Sequence, residues 1–116
     1  MVYVLVNEMN NLTKTIRYND LFNLYQELLT KTQKDILSDY LAYDLSLGEI
    51  AINRQVSRSA VEDALRKGLR KLDDFESCLH LLDKKNEILK NTAQIKLKNK
   101  DKETKDLVSN IERIIR

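Results

Sequence analysis

Proline is absent from this 116-residue chain, tryptophan is absent too, and glycine occurs only twice. Turns that need a pre-bent or left-handed backbone are therefore few, and with so few helix breakers the natural reading is a mostly helical protein. A single cysteine, Cys78, excludes an internal disulfide and fits a reducing cytoplasm. With a single histidine, His80, the chain lacks the ligand set of a structural metal site. Cys78 and His80 are two apart and point in different directions on a helix, so they do not read as a thiol–imidazole pair. Cys78 is expected to be a small apolar filler and His80 a polar or partly buried helix residue. Gly48 and Gly68 stand alone, so there is no glycine-rich phosphate loop. No catalytic constellation, metal site or cofactor site emerges, and the expectation is a protein that is not an enzyme. The opening MVYVLV is too short and lacks the basic start of a signal peptide, so neither export nor membrane insertion is expected.

Hydrophobic residues make up 42% of the chain and charged residues 33%, enough for one domain with a modest core plus an extension. The net charge of +2 is too small to name a polyanionic partner, so its distribution matters more. Between Arg54 and Lys71 stand Arg54, Arg58, Arg66, Lys67, Arg70 and Lys71, against only Glu62 and Asp63. The end of the chain is again lysine-rich, whereas residues 31–53 are net acidic.

The chain is organised around LSLGEIAINRQVSRSAVEDALRKGLRKL, residues 45–72. Ser46 and Glu49 have the spacing of a capping box, in which serine and glutamate side chains satisfy each other's free backbone N–H. Leu47, Ile50 and Ala51 give the short helix that follows one apolar face. Arg54-Gln55-Val56 breaks the pattern and Ser57 can cap a second helix. There Val61, Ala64, Leu65, Leu69 and Leu72 recur at the spacing of one buried face. Two helices so close in sequence cross steeply, as a helix-turn-helix or an ordinary helical hairpin. Ala51 should lie at the crossing, Val56 should plug the turn, and Val61 should anchor the second helix. The outward residues Ser57, Arg58, Ser59, Arg66, Lys67 and Arg70 are then the candidate nucleic-acid contacts, to phosphate or to guanine edges. Glu62 and Asp63 share that face, each with a basic residue four positions on, Arg66 and Lys67.

Before this stretch, apolar residues recur at Leu12, Ile16, Leu21, Phe22, Leu24, Tyr25, Leu28 and Leu29, predicting an amphipathic first helix with a wide buried face. Thr30 and Gln33 form a second capping box and open a helix expected to end near Tyr43-Asp44. The tyrosines read mainly as core or boundary residues. After Leu72 the steps of three and four continue through Phe75, Leu79, Leu82, Asn86 and Leu89, predicting an unbroken helix of roughly thirty residues or more. Its seam needs a partner: the N-terminal helix of the same chain for its first half, or a second protomer in a homodimer for its second. The lysine-rich KLKNKDKETKD reads as a solvated helix face or linker, with auxiliary phosphate contact as the other reading. The apolar residues Leu107, Val108, Ile111, Ile114 and Ile115 again fit one helical face. The expected organisation is an N-terminal arm (1–11), a helix-turn-helix domain including the long helix (12–90) and a lysine-rich extension (91–116).

LLTKTQKDIL, YDLSLGEIA, VSRSAVEDAL and KLDDFESCLHLLDKK, in that order, resemble the YlxM family of small bacterial proteins over residues 12–85. The resemblance implies an all-α fold like region 4 of sigma factors, a helix-turn-helix with an added N-terminal helix and a long C-terminal helix. Ser46, Leu47, Glu49, Ile50 and Ala51 carry over as scaffold, and Ser57, Arg58, Val61 and Arg66 as the second helix. Where the turn usually has glycine this chain has Gln55, which must adopt that backbone at some cost. The family's genes typically adjoin those of the signal recognition particle GTPase and its receptor. The resemblance therefore implies a cytoplasmic regulator that binds DNA or RNA, with signal recognition particle components as partners. The other class it leaves open is an adaptor that binds the particle's protein through the long helix without binding DNA.

Overall fold

Side-chain caps mark where four of the helices begin. In the computed structural model, which describes residues 12–116, the arm expected over residues 1–11 lies outside the described residues. Helix α1 spans Leu12–Tyr25 and closes in a short 3-10 turn, Gln26–Leu28. Thr30 Oγ1 then accepts from the Gln33 N–H at 3.2 Å while Gln33 Oε1 accepts from the Thr30 N–H at 3.3 Å, opening α2 at Lys31–Leu37. A wider π turn, Ser38–Ala42, carries α2 to its end, with Asp44 left-handed at φ 54° just beyond. Ser46 and Glu49 form the second expected box, at 3.1 and 3.2 Å, and α3 follows at Leu47–Arg54. Helix α4 runs Arg58–Leu79, α5 Leu81–Lys98 and α6 Lys102–Ile115.

The chain divides into two compact units, one ending at Leu79 and the other running His80–Arg116. In the first unit, α4 is the axis against which α1, α2 and α3 pack. Leu21, Tyr25, Leu37, Ile50, Val61, Leu65 and Leu72 are essentially fully buried there. Each such side chain contributes about 1.5–3 kcal/mol relative to exposure, which is how a few short helices hold one long one. Two tyrosines of α1 add polar fixings to the apolar contact. Tyr18 donates to Asp73 at 2.6 Å and Tyr25 donates to Glu76 at 2.7 Å, while the Tyr25 and Phe75 rings meet tilted, with centroids 5.8 Å apart. Burial, helped by the bond to Asp73, pushes the Tyr18 phenol well above its ordinary range, so it stays a donor.

Several expectations need correction. Ile16 and Leu28, placed on the buried face of the first helix, are more than half exposed, because that face narrows to Leu21, Phe22, Tyr25 and Leu29. Tyr43 is largely exposed. The long helix is not continuous: His80 stands at φ 55°, ψ 29°, ending α4, and α5 restarts with the Lys84 N–H bonded to the His80 carbonyl. Histidine is among the residues enriched in the left-handed region, so the break needs neither glycine nor proline. Cys78 is exposed, not a filler. The lysine-rich stretch ends α5, forms a short turn at residues 99–101 and opens α6; most of its side chains are solvated, but Lys96 is half-buried against Glu112.

In the second unit α5 and α6 form a helical hairpin. Asp101 caps α6 by accepting from the Thr104 N–H at 3.0 Å. No helix among the described residues is long and apolar enough to cross a membrane.

Candidate nucleic-acid interface

The turn between α3 and α4 sets the direction of everything that follows it. Gln55 is left-handed, φ 57° and ψ 45°. Its N–H bonds the Ile52 carbonyl at 3.3 Å, and the Val56 N–H bonds the Ala51 carbonyl at 3.1 Å. Those two bonds are the Schellman arrangement, which closes a helix by satisfying its last carbonyls. A left-handed residue with a Cβ costs about 1–2 kcal/mol. Gln55→Gly should therefore raise stability by about 1 kcal/mol, less what the freer unfolded chain takes back. A urea midpoint that falls in Gln55→Gly would show that the glutamine side chain holds the turn in some other way.

Arg54 fixes the same corner. Its guanidinium reaches Asp39 through Nε at 2.6 Å and Nη2 at 3.0 Å, with Asp35 at 3.7 Å. The fork-to-carboxylate geometry is the specific one for arginine. Arg54 thus ties the end of α3 to α2 and its π turn, and the Asp39 hydrogen bond raises its already high pKa. Counted by sequence among the basic residues of the ridge, it is in fact a structural clamp. No local spacing could have shown this, since its partner lies fifteen residues away. Val56 is 43% exposed, so the turn is closed by backbone bonds and the Arg54 clamp and not by a buried valine plug.

Ser57 begins α4 as its cap, its Oγ accepting from the Ala60 N–H at 3.0 Å. The hydroxyl hydrogen remains able to donate outward. Ala51 and Val61 are buried, as the crossing requires. At Gly68 the fit is tightest: a Cβ built there would lie 2.5 Å from Leu37 Cδ1. With Val61, Leu65, Gly68, Leu69 and Leu72 inward, the opposite face of α4 is turned to solvent. Ser57, Arg58, Ser59, Arg66, Lys67 and Arg70 are all exposed on it.

The charges on this ridge pair differently from the sequence expectation. Asp63 does bind Lys67, at 3.0 Å, but Arg66 turns back to Asp63 at 2.6 Å, and Glu62 lies 3.5 Å from Arg58. Lys67 first, then Arg66, hold the Asp63 carboxyl below its ordinary value of 3.8, so it is a carboxylate at neutral pH. These groups are well exposed, and such pairs are weak and easily exchanged for a phosphate. Arg70 makes no ion pair among the described residues. Lys71, on the flank, donates instead to the buried Gln33 at 3.1 Å. The ridge therefore presents four cations against two carboxylates, on a helix whose direction is fixed at its crossing and at its first turn.

Comparison with known proteins adds an independent line. The profile of the UPF0122 family, described as "Putative helix-turn-helix protein, YlxM / p13 like", matches residues 12–114. A UPF0122 protein of Oceanobacillus iheyensis is 43% identical over 91 residues, which is 78% of this chain and 87% of the relative. One from Shouchella clausii is 48% identical over 73 residues, 63% of this chain and 67% of the relative. One from Limosilactobacillus reuteri is 52% identical over 68 residues, 59% of this chain and 60% of the relative.

Proposed function

The chain belongs to the UPF0122 family of YlxM / p13-like helix-turn-helix proteins, and on that premise we propose that it binds duplex DNA through the outward ridge of α4. The observation that carries this reading is the rigid presentation of Arg58, Arg66, Lys67 and Arg70 on one exposed helical face. A helix fits the wide major groove of B-DNA, with its early residues at base edges. Ser57, Arg58 and Ser59 occupy that early position, where the free N–H groups of the first turn also favour phosphate. Arg66, Lys67 and Arg70 lie further along, suited to backbone contact. The deep, narrow major groove of an RNA duplex would not admit the same helix. Fluorescence anisotropy with labelled duplexes tests the reading. Binding should be detectable at low salt and weaken steeply as salt rises; no binding to any duplex at low salt would end it.

A finer reading rests on the resemblance of the sequence motifs. It makes the protein a cytoplasmic, non-enzymatic regulator of the signal recognition particle pathway. Pull-downs from native lysate, with and without nuclease, test it. Recovery of particle components that nuclease removes supports this reading; a protein partner that persists after nuclease supports the adaptor instead.

A further inference from the structure

We propose that Asp63 is the residue through which α4 reads sequence, accepting a hydrogen bond from the 4-amino group of one cytosine in the major groove. The proposal rests on the DNA-binding reading above and names what that surface selects. A carboxylate stands here where a polyanion-binding surface has least use for one. Counting about 100° per residue, the direction opposite Val61, Leu65, Gly68, Leu69 and Leu72 falls on Asp63. Ser59 lies one turn before it, Arg66 and Lys67 one turn after, and Arg70 two turns after. Asp63 is therefore the crest of the ridge, and its side chain is 45% exposed. Glu62 is a different case. It lies about 100° round toward the buried side, half-buried, with its carboxylate 3.5 Å from Arg58.

Without DNA the crest carboxylate is held by two cations of the ridge itself, Arg66 Nη2 at 2.6 Å and Lys67 Nζ at 3.0 Å. Exposed pairs of this kind stabilise a helix little, and their main effect is to occupy those cations. On a duplex the long side chains of Arg66 and Lys67 reach out to the phosphates along the groove. Asp63 has a single methylene before its carboxylate, so it stays over the floor of the groove and needs a donor in their place. Lys67 first, then Arg66, hold its carboxyl below the ordinary value of 3.8, and with or without them it is ionised at neutral pH. It can then only accept.

The floor of the major groove offers a donor on cytosine and on adenine, whereas guanine and thymine present acceptors alone. The adenine amino group lies between two acceptors, its own N7 and the thymine O4, and both repel a carboxylate. The cytosine amino group has an acceptor on one side only, the guanine O6. A carboxylate therefore prefers cytosine, while an amide in the same place matches adenine N6 and N7 together. Asp63 also selects by exclusion. On a sequence without the cytosine it keeps Arg66 and Lys67 from the phosphates, which lowers affinity for the wrong site.

Selection from a pool of duplexes with a randomised core tests this, using the native full chain, Asp63→Asn and Asp63→Ala. The native pool should converge on a C·G pair at one position. Asp63→Asn should move that position to A·T, and Asp63→Ala should leave it without preference. By anisotropy, replacing the C·G pair in the selected duplex should weaken native binding on the order of tenfold, and Asp63→Ala binding hardly at all. The ratio between duplexes is the quantity read, because either variant also frees Arg66 and Lys67 and tightens binding to any sequence. Asp63 is exposed, so neither variant threatens the fold. A native pool with no preferred C·G pair, or the same pair selected by all three proteins, would overturn the proposal and leave DNA binding in place. Absence of binding to every duplex would instead end the DNA-binding reading, and this proposal with it.

Discussion

With Arg58, Arg66 and Arg70 all changed to alanine, the protein should lose duplex DNA at physiological salt while its helical signal and unfolding midpoint stay where they were. The three side chains are exposed and outside the core of α4, so the loss is of contact and not of structure. If each neutralises one phosphate, log Kd against log salt should flatten by about 3 units of slope, and low-salt affinity should fall on the order of a hundredfold. Asp63→Asn should act in the opposite direction. That carboxylate engages both Arg66 and Lys67, and removing its charge frees both for phosphate. An affinity several-fold higher for Asp63→Asn and lost for the triple variant would together fix the ridge as the contact surface. If the triple variant binds DNA with an unchanged slope, the ridge is not that surface.

What the sequence could disclose here follows from the range of the interactions. Both capping boxes are reciprocal bonds between residues three apart, so Thr30 with Gln33 and Ser46 with Glu49 were readable directly. The left-handed Gln55 was readable only through the family resemblance, which has glycine there, and the inward set Val61, Leu65, Leu69 and Leu72 from the helical period. The outward placement of Arg58, Ser59, Arg66, Lys67 and Arg70 follows from that same period. Longer-range features were not readable. Apolar steps of three and four run straight across His80, so nothing in their phase announces the break between α4 and α5. The Arg54–Asp39 clamp joins separate elements and has no periodic trace. On the ridge, Asp63 can reach bases at i+3 and i+4, and Glu62 one at i−4 as well as i+4. Spacing alone does not choose among these rotamers. The seam beyond Leu79 was legible as apolar but not as to partner: Leu82 turns out to be buried, while Asn86 is exposed.

Gly68 is where sequence and packing are most tightly joined, and the sign of its substitution should depend on one neighbour. A Cβ there meets Leu37 at 2.5, 3.2 and 3.4 Å from Cδ1, Cδ2 and Cγ. Leu37 is fully buried, so its side chain has little freedom to move away. In an exposed helix, replacing glycine by another residue gains up to about 1 kcal/mol. Overpacking typically costs about 1–3 kcal/mol, and for Gly68→Val, with two methyl groups to place, the upper part of that range should win. Leu37→Ala alone should cost about 2–5 kcal/mol, because it leaves a cavity between α2 and α4. In that background the valine has room and covers apolar surface, so Gly68→Val should become stabilising. Urea unfolding of the four proteins in the cycle measures the coupling, expected to be at least about 2 kcal/mol. Additive effects would mean that α4 does not rest on Leu37. The height at which α2 carries α4 would then be set elsewhere, and with it the projection of Arg66 and Arg70 from the surface.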